Sequence, residues 1–247
     1  MKKYKLSFIS DKDLYNHVKD TVKKYSSKVN LRTFSKNLID PIKLTFDSKV
    51  YDKDDKELIE TEVLRQVDKA NNNQIGYFHQ NIFEYIGDGW SVPESGFDMI
   101  NKKLNIFIEL KNKHNTMNSS SSQRTYIKMQ NEILKNPKAT CMLVEVIAKK
   151  SQDRPWVISL DGERIENQKI RRVSIDNFYK LATKNKNSFR DLCQVLPTVI
   201  EDVVNEIGSY NIEDTVYKEL KKVSPNILKS FYLISFKSYE GFKEFDI

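Results

Sequence analysis

The sequence predicts an α/β fold in which helices flank a small mixed β-sheet. Apolar residues recur every three or four positions towards both ends of the chain, which is the spacing of amphipathic helices. Short apolar runs typical of strands occupy the middle, within 96–111, 139–147 and 156–160. Because no linker rich in Pro, Gly or Ser divides the chain, we expect a single domain, 1–247, with its core at about 74–160 and helical additions on both sides.

The amino-terminal part is predicted to be mostly helical. Ser10 to Asp13 resembles a capping box, and apolar residues follow it at helical spacing as far as Tyr25. Residues 31–50 contain only short apolar pieces around Pro41. Two more segments have helical periodicity before Gly87 ends the pattern. These predicted helices cover residues 55–70 and 74–86.

The carboxy-terminal half is predicted to alternate a crossover helix, strands and a helical end. The polar stretch Asn115–Ser122 is expected to be a loop, and Gln123–Leu134 a helix that crosses to the next strand. Phe231–Phe236 has a β-like composition. Pro197 interrupts the long apolar stripe of Phe189–Ile207, which predicts a kink or a restart. The predicted helices at this end cover residues 175–183, 187–207 and 211–222.

The positive charge of the chain is concentrated in its middle. The net charge is +7, and residues 101–150 contain ten Lys or Arg against three acids, whereas the rest of the chain is balanced. Such a local field suits a partner that carries phosphates. The alternative is a solvated basic face without a partner.

No feature of the sequence indicates a membrane or an oxidising compartment. No apolar run reaches the roughly 20 residues that cross a bilayer, and no apolar segment follows the basic start. Cys141 and Cys193 lie far apart and are expected to be buried thiols rather than a disulfide or a metal pair. We therefore expect a cytoplasmic protein.

A candidate site lies around one apolar strand. Residues two apart in a strand share a face, so Glu109 and Lys111 project to the same side. A hairpin through 101–103 brings Asp98 beside Glu109. Two carboxylates and one ammonium at one point predict a site for a hard divalent cation and an anionic substrate. The alternative is an exposed salt bridge between Glu109 and Lys111 that contributes little stability. A strand as apolar as 106–110 should be central in the sheet, however, and a carboxylate there needs a partner or a metal.

The same residues resemble a nuclease family. Gly96-Phe97-Asp98 followed by Ile108-Glu109-Leu110-Lys111 resembles the PD-(D/E)xK core, with Phe97 in the place of the proline. Other stretches are similar to Type II restriction endonucleases that cut GGNCC, over about residues 5–205. These stretches are Glu109–Gln123, Gly76–Phe83 and Arg171–Asp176.

The resemblance implies roles for individual residues. Asp98, Glu109 and the main-chain carbonyl of Leu110 would bind Mg²⁺, which needs few protein oxygens, and Mn²⁺ is expected to substitute. Lys111 would hold the attacking water and stabilise charge on the phosphate. Glu84 is a further catalytic candidate, because upstream acids in this superfamily hold a second metal; an ordinary solvent-facing glutamate is an equal alternative.

The segment after the strand is expected to contact DNA. Lys and Arg side chains read guanine, Asn reads adenine and Ser is permissive, so a GC-rich target favours Lys113 and Arg124 as base readers. His114 is better interpreted as a turn residue than as a general base. The predicted DNA-binding residues are Lys113, His114, Asn115, Asn118, Ser119, Ser120, Ser121, Ser122, Gln123 and Arg124.

Three neighbouring residues have two interpretations each. Gln123 and Tyr126 either orient Lys111 or contact phosphate, or they form plain helix surface. Glu145 either faces the site from the next strand or pairs with Lys149.

The predicted function is a Mg²⁺-dependent Type II restriction endonuclease that cuts double-stranded DNA at a short palindrome, with GGNCC implied by the resemblance. One catalytic cluster cuts one strand, so a homodimer is expected, and the stripe of Phe189–Ile207 is either its surface or core. A cognate DNA methyltransferase is expected in the same system, but not as a stable partner. The alternatives are a DNA- or RNA-binding protein without cleavage and a repair or junction nuclease of the same core.

Overall fold

The computed structural model describes residues 4–25, 28–160, 162–239, 242 and 245–246. The chain divides into two compact units. The sheet unit comprises Met1–Lys23 and Asn73–Gly208, and the helical unit comprises Lys24–Asn72 and Ser209–Ile247. The single domain expected from the sequence stays a prediction.

Helices and strands alternate along much of the chain. The helices are α1 (Asp11–Lys23), α2 (Leu31–Lys36), α3 (Pro41–Val50), α4 (Asp55–Asn81), α5 (Ser119–Lys135), α6 (Ile175–Thr183), α7 (Ser188–Ile207), α8 (Val216–Val223) and α9 (Ile227–Ser235), with a short 3-10 helix at Ile82–Tyr85. The strands are β1 (Lys28–Val29), β2 (Trp90–Ser91), β3 (Met99–Asn101), β4 (Ile106–Lys113), β5 (Thr140–Ile147), β6 (Asp153–Leu160), β7 (Glu163–Ser174) and β8 (Glu213–Asp214).

The sheet unit contains a mixed sheet of six strands in the order β2-β3-β4-β5-β7-β6. Strands β4, β5 and β7 are parallel neighbours, and antiparallel strands flank them. The predicted α/β class, with helices flanking a mixed sheet, is thereby confirmed. The carboxyl ends of the three parallel strands meet at one edge, where α/β proteins place their sites.

The two faces of this sheet pack against different helices. Alternate side chains of β4, including Ile108 and Leu110, join a core with residues of α1, α6 and α7. The other face, with Cys141 and Leu143 of β5, is covered by Tyr126 and other residues of α5. Glu109 and Lys111 alternate with Ile108 and Leu110, so they lie on the face that α5 covers.

Several predicted elements differ from the structure. Helix α4 joins the first predicted segment to most of the second, since Asn71–Asn73 between them are tolerated inside a long helix, and a 3-10 helix follows at Ile82–Tyr85. Helix α7 continues through Pro197, and its apolar stripe belongs to the core. The strand β7 was not predicted, because its sequence is largely polar. Cys141 is buried as expected, but Cys193 is exposed; both are free thiols.

The helical unit has a core of its own. Its buried residues include Phe34 of α2, Leu58 and Ile59 of α4, and Phe231 of α9. The β-like run predicted at Phe231–Phe236 is wrong, because this segment belongs mostly to α9. Asn226 caps that helix by accepting a hydrogen bond from the N–H of Lys229 at 3.1 Å.

Two local features follow the sequence closely. Ser10 caps α1 where the sequence predicts it, since the N–H of Asp13 donates to Ser10 Oγ at 3.1 Å and Ser10 Oγ donates to Asp13 Oδ2 at 2.6 Å. None of the helices in the described part of the chain is long and apolar enough to cross a membrane.

Candidate active site

The hairpin of β3 and β4 brings the three predicted site residues together. Its register pairs Met99 with Ile108, so Asp98, one residue before β3, falls beside Glu109. The ammonium of Lys111 lies 4.0 Å from Asp98 Oδ2 and 3.8 Å from Glu109 Oε2. The convergence of two carboxylates and an ammonium expected from the spacing is therefore present.

Asp98 is also held by the backbone of the neighbouring strand. Its Oδ2 accepts a hydrogen bond from the N–H of Leu110 at 2.8 Å. In an extended strand the N–H and C=O of one residue point to the same edge. The carbonyl of Leu110 consequently faces the side of β4 on which Asp98 lies.

Glu109 is buried, with 7% of its surface exposed. A carboxylate in such a place needs positive or hydrogen-bonding partners. Besides Lys111, it contacts the ammonium of Lys128, which α5 supplies. Lys128 also donates to the carbonyl of Gly96 at 2.7 Å and lies 4.4 Å from the centre of the Phe97 ring.

The donor set suits a hard divalent cation. Asp98 and Glu109 offer carboxylate oxygens, and the Leu110 carbonyl is a third oxygen at the same edge. Mg²⁺ prefers such oxygens and binds through one or two carboxylates while keeping several waters. Within the described residues, no group of three or more His, Cys, Asp or Glu side chains is arranged to hold a metal, so a cation here would depend on backbone oxygen, water and substrate for its remaining ligands.

A second polar cluster lies at the carboxyl ends of the parallel strands. Glu145, which is 1% exposed, accepts a hydrogen bond from the guanidinium of Arg172. Nδ1 of His114 lies 3.0 Å from Glu145 Oε1 and 2.7 Å from Arg172 Nη2, so it donates to Glu145 when it carries the proton and accepts from Arg172 when it does not. Burial alone raises the pKa of Glu145, but hydrogen bonds and charges from Arg172 and His114 outweigh it, and the pKa lies below its usual value.

This second cluster adjoins both Lys111 and the predicted DNA-contacting segment. The register of the sheet places Glu145 opposite Lys111. Arg172 also reaches Oδ1 of Asn115 at 3.4 Å, and Asn115 has the left-handed φ of +55° that asparagine tolerates. Lys111, Lys113 and Arg172 line a small pocket of about 40 Å³ between these groups.

The serine run forms the first turn of α5 instead of the expected loop. Asn118 is its N-cap, and its side chain accepts a hydrogen bond from the N–H of Ser121 at 2.9 Å. This correction follows from the cap, because it satisfies a backbone donor that a run of poor helix formers would otherwise leave free. Ser119 and Ser120 are exposed, and Ser121 and Ser122 are half-buried.

The remaining predicted residues are placed as follows. Arg124 is exposed on α5, and Lys113 is exposed at the end of β4. Gln123 is half-buried and donates to the carbonyl of Ser159 at 2.9 Å, which ties it to β6. Tyr126 is fully buried against Trp156, so neither interpretation of it as a surface or phosphate-contacting residue holds.

Glu84 and Glu145 each agree with one of their two predicted interpretations. Glu84 is exposed on the 3-10 helix, and no hydrogen bond or ion pair found among the described residues joins it to Asp98 or Glu109. Glu145 faces the site from the next strand, and among the described residues its ion-pair partners are Arg172 and His114, with no pair to Lys149, the alternative interpretation.

The identity of the chain follows from its match to known families. Residues 6–205 match the model of the Eco47II restriction endonuclease family, which is well over half of the 247 residues. The chain belongs to the Eco47II restriction endonuclease family. The matched range contains both polar clusters and the whole six-stranded sheet.

Two characterised relatives support membership of the Eco47II family. The Type II restriction enzyme Sau96I of Staphylococcus aureus is 29% identical over 209 residues, which cover 80% of this chain and 80% of that protein. The Type II restriction enzyme Eco47II of Escherichia coli is 29% identical over 216 residues, which cover 81% of this chain and 89% of that protein. The prediction of a site-specific restriction endonuclease is confirmed.

Two site residues of this Eco47II-family chain were not predicted from its sequence. Lys128 lies nineteen positions after Glu109 on another element, so strand spacing gives no signal for it. A signal existed in the helix itself, since Arg124 and Lys128 are four apart and therefore share a face. Arg172 lies on β7, which was itself missed; a basic pair at the end of a strand was the available clue.

Proposed function

We propose that this chain is a Mg²⁺-dependent Type II restriction endonuclease that hydrolyses both strands of DNA at a short palindrome, with GGNCC as the first site to test. The observation that carries the proposal is that the carboxylates of Asp98 and Glu109 both lie within 4.0 Å of the Lys111 ammonium, in a chain of this family. We further propose that β3, β4 and α5 form a PD-(D/E)xK core, in which Phe97 stands at the proline position.

Asp98, Glu109 and the Leu110 carbonyl are the proposed metal ligands. A divalent cation bound there supplies Lewis-acid activation of water and neutralises charge on the scissile phosphate. Asp98 is pre-oriented by the N–H of Leu110 at 2.8 Å, which fixes one carboxylate before any ligand arrives. Mg²⁺ suits two carboxylates better than a closed protein cage, and Mn²⁺ should support cleavage as well.

Lys111 is the proposed catalytic lysine. Its ammonium is within reach of both carboxylates and one-third exposed, so it can contact water and a phosphate together. Held there, it orients the attacking water and stabilises the negative charge that grows on the phosphate oxygens. Glu84, which has no hydrogen bond or ion pair with these residues in the described part of the chain, stays a candidate only for a second metal.

The proposed DNA surface runs from the end of β4 to the start of α5. Lys113, Asn115 and Arg124 are exposed there, and Asn118 with the four serines presents hydroxyl groups and backbone donors at a helix N-terminus, which favours phosphate. His114 and Gln123 already have protein partners, so we propose that they support this surface more than they contact bases. The basic excess of residues 101–150 adds sequence-independent attraction.

A homodimer is the proposed active assembly. One catalytic cluster per chain cuts one strand, and two chains related by a two-fold axis cut both and read a palindrome. Because the stripe of α7 is core in this structure, the dimer surface must lie elsewhere. We propose that the enzyme works in the cytoplasm beside a DNA methyltransferase that protects the host sites.

Digestion of a sequenced phage DNA tests the proposal. Purified protein with Mg²⁺ should give discrete fragments whose ends map to one palindrome, and EDTA should prevent this. Light scattering with cognate DNA should give two chains per duplex. Specific binding without any cleavage in Mg²⁺ or Mn²⁺ would favour the DNA-binding alternative, and cleavage directed by DNA structure instead of sequence would favour a repair or junction nuclease.

A further inference from the structure

Lys128 connects the two segments that carry the proposed metal ligands. Its ammonium contacts the Glu109 carboxylate and donates to the carbonyl oxygen of Gly96 at 2.7 Å, and it has no second ion pair with an acid in the part of the chain that the structure describes. It also lies 4.4 Å from the centre of the Phe97 ring. Since Gly96 and Phe97 directly precede Asp98, Lys128 joins the segment of one carboxylate to the strand of the other.

All three groups around the Lys128 ammonium attract positive charge. They are a carboxylate, a carbonyl oxygen and the face of an aromatic ring. Lys111 lies 3.8 Å from Glu109, beyond hydrogen-bond distance, so Lys128 is the closer positive partner. The buried charge of Glu109 is therefore compensated chiefly by Lys128 when no metal is bound.

We propose that Lys128 is a positioning residue that holds Glu109 in the metal-free enzyme and releases it to the divalent cation. Lys128 thereby competes with the cation and sets the concentration at which the site fills. This inference rests on the proposed function, because it takes Glu109 as a metal ligand.

The surroundings of Lys128 allow such a release. The side chain is 37% exposed, and a lysine ammonium is a point charge on a flexible stem that can move into water while the stem stays packed. Beside it lies an open groove of about 570 Å³, lined also by Arg124 and Lys135. The ammonium can leave Glu109 for this groove and keep its contact with the Phe97 ring.

Mn²⁺ binding without DNA tests the competition directly. The free ion is counted by electron paramagnetic resonance during titration of the wild type and of Lys128→Gln, Lys128→Arg and Lys135→Gln. Lys128→Gln should bind Mn²⁺ about fivefold more tightly, because a partly exposed ion pair no longer opposes it. Lys128→Arg should bind more weakly than the wild type, since a guanidinium grips a carboxylate with two hydrogen bonds.

Lys135→Gln is the matched control. It removes one positive charge from the same helix and the same groove, yet no ion pair among the described residues joins Lys135 to either carboxylate. Its Mn²⁺ affinity should equal that of the wild type. In EDTA, Lys128→Gln should also unfold about 2 °C below the wild type and Lys135→Gln, because its Glu109 is left with only the more distant Lys111.

The outcomes separate this inference from the proposed function. Unchanged or weaker Mn²⁺ binding by Lys128→Gln, or equal shifts in Lys128→Gln and Lys135→Gln, overturns the role of Lys128. Lys128→Arg tests the competition with the positive charge retained, and Mn²⁺ binding by it that is as tight as that of the wild type or tighter also overturns the role of Lys128. If the wild type shows no Mn²⁺ binding that is lost in Glu109→Gln, the proposed metal site itself is refuted. Binding that Glu109→Gln abolishes and Lys128→Gln leaves unaltered refutes Lys128 alone.

Discussion

Glu109 and Glu145 are buried carboxylates on adjacent parallel strands, and their partners differ in kind. Glu145 is bonded by the guanidinium of Arg172 and the imidazole of His114. Glu109 is contacted by the ammonium of Lys128, with the ammonium of Lys111 at 3.8 Å. The sheet presents both on the face that α5 covers.

Under the proposed function, this difference separates a structural anchor, Glu145, from a metal ligand, Glu109. A guanidinium is a planar, permanently charged fork, and together with the imidazole it satisfies Glu145 within the protein. Two ammonium groups give Glu109 charge but little directional bonding, so its oxygens remain available to a stronger cation. Similar burial of two carboxylates therefore indicates nothing about their role, whereas the chemistry of their partners does.

Replacing each glutamate should show the largest contrast. Glu109→Gln should lower the rate of cleavage by about 10³-fold or more, because the loss of metal-borne charge stabilisation amounts to several kcal/mol. Glu145→Gln, assayed below its unfolding temperature, should stay within about tenfold of the wild type. Single-turnover cleavage of a duplex with one site measures both. Equal losses in the two variants would erase the distinction.

Lys111 sharpens the comparison because it lies between the two clusters. Lys111→Ala should lose about 10²-fold in cleavage rate, as expected when one charge-stabilising donor is removed, and should keep specific DNA binding. Gel shifts in Ca²⁺, under conditions in which the wild type is first shown not to cleave, measure the binding. If Lys111→Ala loses DNA binding but keeps the cleavage rate of each bound complex, Lys111 is a DNA-binding residue and not a catalytic one.

Stability should respond more at Glu145 than at Glu109. Arg172→Met leaves a buried carboxylate without its main partner and should lower the free energy of unfolding by about 3 kcal/mol. The double variant Arg172→Met, Glu145→Met should recover most of this, since both buried charges are gone. Lys128→Met, at a partly exposed pair, should cost no more than about 1 kcal/mol. Urea denaturation in EDTA ranks the three variants by their free energy of unfolding. A reversed order contradicts the interpretation of Glu145 as a structural anchor.

The exposed basic residues should have smaller, separable effects. Lys113→Ala and Arg124→Ala should each reduce affinity for DNA by about tenfold or less. For each phosphate contact removed, the slope of log affinity against log salt should become shallower by about one. Fluorescence anisotropy with cognate and random duplexes distinguishes contacts to bases from contacts to phosphates. A loss confined to the cognate duplex identifies a base contact, and a loss with an unaltered slope excludes a phosphate contact.

The smallest effect expected is on the pH dependence of stability. The folded pKa of Glu145 lies below its usual value, so this group contributes stability that is complete above its unfolded pKa of about 4.3. That contribution is lost as the pH falls through the lower folded pKa. Glu145→Gln should therefore flatten the acid limb of a plot of unfolding free energy against pH. An unchanged limb would show that Arg172 and His114 do not stabilise the charge.

The sequence was most informative where contacts are local. Asp98, Glu109 and Lys111 were predictable because a short hairpin and the two-residue period of a strand are both visible in the chain. Lys128 and Arg172 reach the site only through the crossover to α5 and the pairing of β5 with β7, which no local period encodes. The crossover could be foreseen, but not which helix side chain would face Glu109.

Two of the incorrect elements have a common cause in helix capping. Phe231–Phe236 is rich in residues that favour strands, yet Asn226 begins a helix that buries Ile227 and Phe231 in the helical unit. Ser119–Ser122 has poor helix formers, yet Asn118 begins α5. In both cases one capped backbone donor and a packed apolar face outweigh the preferences of the individual residues.

The hydrogen bond from the Leu110 amide to Asp98 makes this backbone group a reporter of the charge on the Asp98 carboxylate. Its proton senses the charge of the oxygen it touches at 2.8 Å, so its nuclear magnetic resonance should move whenever that charge is shared with another ion. One amide signal would then follow occupancy of the site in solution, without a substrate and without a mutation. Asp98→Asn would retain an acceptor for that amide, which makes it a gentler substitution than alanine for separating the charge of residue 98 from its hold on the strand.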